Sequence, residues 1–271
     1  MPYICPICAQ PLSKMANTWG CEASHRFDCA KEGYVNLLPV QKKNSKDPGD
    51  NQQMMFARRE FLNAGYYQHL SDRVNELALV YGELSQQVLD IGCGEGYYSH
   101  RLYEKLHERH DCQLYGVDIS RSAIRYAAKR YPALSFCVAS AYDMPFADNS
   151  FDLALRIYAP SKHDELTRLI RAQGLLITVA PGPKHHYAIK KQIYAEPRFH
   201  PEQDTHLAGF NRVHVERLQS QLSIKDASHI GHFLEMTPYA WKLTAEQKLR
   251  LIENGLECEL DFQIEVHQRV D

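Results

Sequence analysis

No apolar run in this chain approaches the roughly 20 residues needed to cross a bilayer. The segment from Met1 to Lys14 also lacks the apolar core of a secretion leader, so the sequence predicts a cytoplasmic protein without a membrane partner. Net charge is scarce. The formal balance of −2 excludes a uniformly basic nucleic-acid binder and confines any such function to local patches. One stretch qualifies: between residues 156 and 200 Arg156, Lys162, Arg168, Arg171, Lys184, Lys190, Lys191 and Arg198 face only Asp164, Glu165 and Glu196. An internal repeat is absent as well. What is present is ordinary for a soluble chain: 271 residues, 44% apolar and 24% charged, enough for one large domain or a domain plus a small module.

Eight cysteines have little use as disulfides in a reducing compartment, and they are unevenly placed, with Cys5, Cys8, Cys21 and Cys29 in the first 29 residues. Cys5-Pro6-Ile7-Cys8, twelve residues, and then Cys21-Glu22-Ala23-Ser24-His25 has the spacing of two zinc knuckles, so Cys5, Cys8, Cys21 and His25 are the expected ligands. Cys29 competes for the fourth place, but its distance from Cys21 is wide for one knuckle and it reads better as a buried thiol. Four protein ligands leave no open position, which makes the ion structural. The stretch is too short for a core of its own, so metal binding is expected to supply much of its folding free energy.

The chain is organised around Gln87-Val88-Leu89-Asp90-Ile91-Gly92-Cys93-Gly94-Glu95-Gly96-Tyr97-Tyr98. A short apolar run breaks into three glycines and then an amphipathic segment, which predicts a buried parallel strand, a tight turn and a helix. The spacing is Gly-x-Gly-x-Gly with an acid inside it, not the Gly-x-Gly-x-x-Gly of a pyrophosphate cradle. Some twenty residues on, Gln113 to Asp118 reads as a second strand ending in an acid, placed where a carboxylate can accept both hydroxyls of a ribose. Leu134 to Ala139 and Gly174 to Val179 read as further strands between helices, and Asn149 to Pro160 as a turn and then another strand ending in a proline-capped loop. This alternation predicts a doubly wound, mostly parallel α/β sheet. Two helices are expected between Asn51 and Tyr81 with a break at Gly65-Tyr66-Tyr67, and the polar stretch from Lys42 to Asp50 reads as a disordered linker. Residues 235–241 and 256–266 around a helix from Thr244 to Asn254 are expected to give the last, antiparallel strands. The expected division is 1–40 for a zinc module, 41–82 for a linker and helical segment, and 83–271 for the α/β domain.

The glycine stretch, from Asp90 through Gly92, Gly94 and Gly96, resembles motif I of the class I S-adenosylmethionine-dependent methyltransferases. With the zinc knuckles, Ala30-Lys31-Glu32-Gly33-Tyr34-Val35-Asn36-Leu37-Leu38, Arg156-Ile157-Tyr158-Ala159-Pro160 and Pro181-Gly182-Pro183, the chain resembles the zinc-containing 23S ribosomal RNA guanine-N1 methyltransferases of bacteria over nearly its whole length. The resemblance implies a Rossmann-like fold with a mostly parallel seven-stranded sheet and a small N-terminal zinc-binding module. It implies one structural Zn²⁺ on Cys5, Cys8, Cys21 and His25. S-adenosylmethionine is expected against Tyr67, Asp90, Gly92, Gly94, Gly96, Tyr98, Ser99, Asp118 and His185. The implied substrate is a guanine in a hairpin loop of 23S rRNA, of the 745 type found in Gram-negative bacteria, and the implied assembly is a homodimer. Arg171-Ala172-Gln173-Gly174 departs from the family's usual Lys-Pro-Gly-Gly, at a surface turn.

Methylating guanine N1 requires alignment, exclusion of water and the removal of a proton. Arg156 and Tyr158 are the expected catalytic groups, with His185 as a further candidate acceptor. Two alternatives compete: a methyltransferase for a small molecule or a protein, and a non-catalytic RNA-binding protein on the same fold.

Overall fold

The computed structural model describes residues 2–42, 49–201 and 206–271; most of the linker expected to be disordered, with Lys43 and Lys46, lies outside them. In chain order the strands and helices are β1 (Ser13–Met15), β2 (Thr18–Gly20), β3 (Arg26–Asp28), β4 (Val35–Asn36), α1 (Gln52–Asn63), α2 (Gln68–Gly82), β5 (Gln87–Ile91), α3 (Tyr97–His107), β6 (Gln113–Asp118), α4 (Arg121–Arg130), β7 (Ser135–Val138), β8 (Phe151–Ile157), α5 (His163–Leu169), β9 (Ile170–Pro181), α6 (Tyr187–Ile193), β10 (Phe210–Ile224), α7 (Ala227–Glu235), α8 (Ala245–Asn254) and β11 (Leu256–Arg269). The main sheet runs β10-β11-β9-β8-β5-β6-β7-β4, parallel from β9 to β4 and antiparallel at β11 and β10.

Seven of these strands are the expected sheet of the class I methyltransferase fold. The eighth is β4, which pairs in parallel with β7 through Val35–Cys137 and Asn36–Val138 and so stitches the N-terminal module to the sheet edge. The last strands depart from expectation. Residues 235–241 form the end of α7 and a 3₁₀ turn, and the missing strand is β10, whose exposed face hides its apolar pattern. Arg171 to Gly174 are not a turn ahead of the fifth strand but an irregular stretch inside β9, where the pairing jumps from Phe151–Ile170 to Leu153–Leu175.

Alternation along the central strands divides the core between two faces. Val88, Leu114, Leu153, Leu155 and Ile177 pack with α2, α3, α4 and α7. Leu89, Ile91, Tyr115, Val117, Ala154 and Leu176 pack on the opposite face with α5 and with the N-terminal module itself. Tyr3, 3% exposed, stacks on Phe146 at 5.2 Å and meets Tyr115 and Trp19 edge-on at 5.8 and 5.1 Å. The backbone is tied down beside it by Ile4 N–H to Pro145 O at 3.0 Å and Ala147 N–H to Pro2 O at 2.8 Å. The module therefore shares its core with the sheet, and metal binding is not its sole support.

Candidate functional site

The two knuckles bring their four donors together. All of the donor atoms of Cys5, Cys8, Cys21 and His25 lie within 4.8 Å of one another. Cys8 Sγ is 3.7 Å from Cys21 Sγ, and His25 Nδ1 is 3.5 and 3.4 Å from the sulfurs of Cys5 and Cys21. A tetrahedron with Zn–S bonds of about 2.3 Å has S–S edges of about 3.8 Å, so the donor set and its spacing fit one Zn²⁺. Each knuckle is turned by a residue with positive φ, Ala9 at 60° and Ser24 at 66°. Cys29 is buried outside the cluster, as its spacing implied.

At the carboxyl ends of the parallel strands a cavity of about 720 Å³ opens over the glycine turn. Gly92, at φ +71°, must be glycine: a Cβ there would stand 2.4 Å from that of Ala159. The turn is held by Gly92 N–H to Val117 O at 2.8 Å and by Gly94 N–H to the Asp118 carboxylate at 3.0 Å. The other Asp118 oxygen accepts from Ser120 N–H at 2.8 Å, and each oxygen keeps a lone pair for a ligand hydroxyl. Burial raises the Asp118 pKa, and those two amides oppose the rise. Asp90 accepts from the Ser99 hydroxyl at 2.5 Å; burial pushes its carboxyl up to about 7 despite that bond, and the Asp118 charge adds to the rise. Glu95 does not enter the turn's interior as a ligand for the backbone. It is buried and pairs with Arg130 at 3.3 Å.

Tyr67, Asp90, Gly92, Gly94, Tyr98, Asp118, Tyr158 and His185 all line the cavity. Gly96 and Ser99 are not among its lining residues and act on it through the turn and through Asp90. Arg156 is not among them either. It follows Ala154 on the opposite face of β8, where its guanidinium donates to Ser161 at 3.0 Å, while Leu155 and Ile157 face the cavity side. The expected basic stretch is likewise divided: Arg168 pairs with Glu165 and Asp148, Arg171 with Asp152 and Lys162 with Asp164.

The far end of the cavity is built by the ends of β8 and β9, by α6 and by the turn after α7. Tyr158 stands at its mouth in the left-handed region, φ +54°, and is 45% exposed, with its hydroxyl directed inward to His185 Nε2 at 3.3 Å. His185 Nδ1 accepts the backbone N–H of Asp261 at 3.1 Å. The ring therefore carries its proton on Nε2 and donates it to Tyr158. Burial, with His200 nearby, holds the His185 pKa down to about 3. Both ring nitrogens are engaged, and the ring has no free lone pair. Its neighbour His186, at φ +55°, lies tilted against it with ring centroids 3.8 Å apart and bonds through Nε2 to the Tyr67 hydroxyl at 3.0 Å.

Several lining residues carried no signal in their local sequence. Asp50 and Arg58, paired at 2.6 Å, lie over the glycine turn from the segment entering α1, while Lys190, Tyr194, His200, Tyr239 and Lys242 close the far end. Lys242 sits over Tyr194 at 5.1 Å beside the exposed Trp241, and Phe199 stacks on Tyr187 of α6 at 4.5 Å with Lys191 over the same ring at 4.9 Å.

Residues 3–46 match the zinc-ribbon family model described as RlmA, N-terminal, and residues 84–231 match a model described as Methyltransferase domain. The chain is 32% identical over 258 residues to the 23S rRNA (guanine(748)-N(1))-methyltransferase of Streptomyces fradiae, covering 92% of this chain and 89% of that one. A Bacillus subtilis relative, provisionally named a 23S rRNA (guanine-N(1)-)-methyltransferase, is 27% identical and covers 97% and 95%. Among solved structures, the YcgJ protein of Bacillus subtilis superposes with a TM-score of 0.49 at 15% identity, covering 75% of this chain and 99% of that one. The knuckles, the glycine turn and the full-length likeness agree: the chain belongs to the family of 23S rRNA (guanine-N1)-methyltransferases.

Proposed function

We propose that this protein transfers the methyl group of S-adenosylmethionine to N1 of a guanine in a hairpin loop of 23S rRNA, at the 745-type position. The observation that carries this reading is the single cavity that joins the glycine turn and Asp118 to Tyr158, beside a rim of aromatic and basic side chains. The cofactor supplies an electrophilic methyl group. Asp118 receives the ribose hydroxyls, the turn from Gly92 to Tyr98 and Tyr67 border the amino-acid portion, and Asp90 with Ser99 and Gly96 hold that turn in shape. His185 orients the Tyr158 hydroxyl, whose ring is a platform for a base drawn out of its stack. Cys5, Cys8, Cys21 and His25 bind one structural Zn²⁺, and the module they fold covers one face of the sheet.

The partner is the rRNA hairpin and the compartment is the cytoplasm, in line with the absence, among the described residues, of any helix long and apolar enough to cross a membrane. The family resemblance supports a homodimer, which light scattering tests. The deciding experiment is reverse-transcriptase mapping of 23S rRNA from cells with and without this protein. Loss of one N1-methylguanine stop on deletion is expected, restored by the wild-type chain. A stop unchanged by deletion rejects the substrate, and a lost stop at the 748-type position rejects only the site.

A further inference from the structure

The cavity is divided by charge. Its carboxylates, Asp50, Asp90, Glu95 and Asp118, all sit at the glycine-turn end, each engaged by Arg58, Ser99, Arg130 or backbone amides. The acceptor end, from Tyr158 through α6 to Lys242, lines the cavity without a carboxylate. Removal of a proton from guanine N1 must therefore fall to a nitrogen base there. His185 has no free lone pair, His186 is engaged by Tyr67, and Lys242 donates to the Tyr194 hydroxyl.

Two nitrogen bases remain among the described lining residues, His200 and Lys190, and Lys190 is the buried one where His200 is half-buried. It lies one helical turn beyond His186 and one before Tyr194, on the face of α6 turned to the cavity. Its side chain is buried, 9% exposed, and among the described residues its Nζ reaches only the Arg198 carbonyl, at a long 3.4 Å. Among the described residues it has no carboxylate partner within ion-pair distance. A buried ammonium so placed is costly, and burial lowers its pKa. The titratable groups around it are His185, His186 and His200 on the loop side, Tyr194 on its own helix, and Asp261 and Glu259 on β11. Asp261 is already engaged by Arg217, and Glu259 accepts the Ala188 N–H.

We propose that Lys190 is the catalytic base of the reaction. As the neutral amine it takes the N1 proton of the guanine onto Nζ. The electron pair of the broken N–H bond remains on the base, shared between N1 and O6, and forms the new N1–C bond as the methyl carbon leaves sulfur with that bond's electrons on sulfur. The ammonium then faces O6 until the proton passes to water on product release. This inference rests on the substrate reading above.

The test compares wild type, Lys190→Met, Lys190→Arg and Lys190→Ala on unmodified 23S hairpin RNA. The expected result is a fall in kcat of at least about 10²-fold in Met and Arg, with KM for RNA within about threefold, and partial recovery of Lys190→Ala by added ethylamine. Arginine stays protonated and cannot serve. A second readout is independent of turnover: the pH dependence of Lys190 acylation by acetic anhydride, followed by mass spectrometry, should show a midpoint below that of the exposed lysines, and it decides the matter if the Met and Ala variants fail to fold. Activity of Lys190→Met within threefold of wild type, full activity of Lys190→Arg, or acylation with an ordinary lysine midpoint each overturns the assignment. An inactive wild type rejects the substrate reading instead.

Discussion

The backbone N–H of Asp261 donates to Nδ1 of His185, and the same ring passes its remaining proton to the Tyr158 hydroxyl. A strand end thus sets the tautomer of a histidine on another loop, and through it the orientation of a tyrosine at the cavity mouth. Burial keeps the His185 pKa near 3, so the stability carried by the neutral ring is complete above the ordinary histidine pKa of about 6.5 and is lost as pH falls toward 3. At pH 5 the loss is about 2 kcal/mol. Urea unfolding at pH 7.5 and pH 5 should show it in the wild type and less of it in His185→Gln. An equal pH dependence in both would contradict the assigned protonation.

Removing zinc should weaken the whole molecule. Tyr3 and Trp19 pack with Tyr115 and Phe146 of the sheet, so Cys21→Ser should lose the ion and lower a single cooperative melting transition. A fall of roughly 10 °C is expected, since each kcal/mol moves a domain of this size by about 2–4 °C. Two separate calorimetric transitions, with the main one unmoved, would show that the module stands alone.

Asp118→Ala should weaken S-adenosylmethionine by roughly 10- to 100-fold, the worth of hydrogen bonds to a charged group, with zinc content unchanged. Titration calorimetry measures this. An unchanged Kd would remove Asp118 from the cofactor site.

At Gly92 a methyl group has no room, and the backbone conformation is strained for any side chain. Gly92→Ala should cost about 1–3 kcal/mol in strain, more from the contact with Ala159, and abolish cofactor binding. Normal cofactor binding in a stable Gly92→Ala protein would show that the turn adapts.

Trp241 is offered to solvent beside Lys242 and Tyr194. If it stacks on a loop nucleotide, Trp241→Ala should weaken hairpin RNA by about 1–3 kcal/mol and leave S-adenosylmethionine affinity intact. A gel-shift titration with equal affinity for both proteins would place the RNA elsewhere.

By itself the sequence determined the elements whose chemistry is local. Cysteine and histidine spacing defined the metal cluster because a tetrahedral ion tolerates few loop lengths. The run from Val88 to Gly96, followed by Asp118 at the next strand end, marked the candidate nucleoside site because strand, turn and helix are contiguous in the chain. Tertiary structure decided the rest. Placing Arg156 depended on which face of β8 each side chain takes, and a single residue of register reverses that answer. The long strand β10 was missed because its outer face is solvated, so apolar alternation is weak. The tautomer of His185 and the isolation of Lys190 come from residues more than 70 positions apart for the first and, for the second, from neighbouring carboxylates that other groups already engage. Neither is a property of a segment: contacts that close across a sheet depend on how the strands are ordered, and that order is set by packing of the whole core.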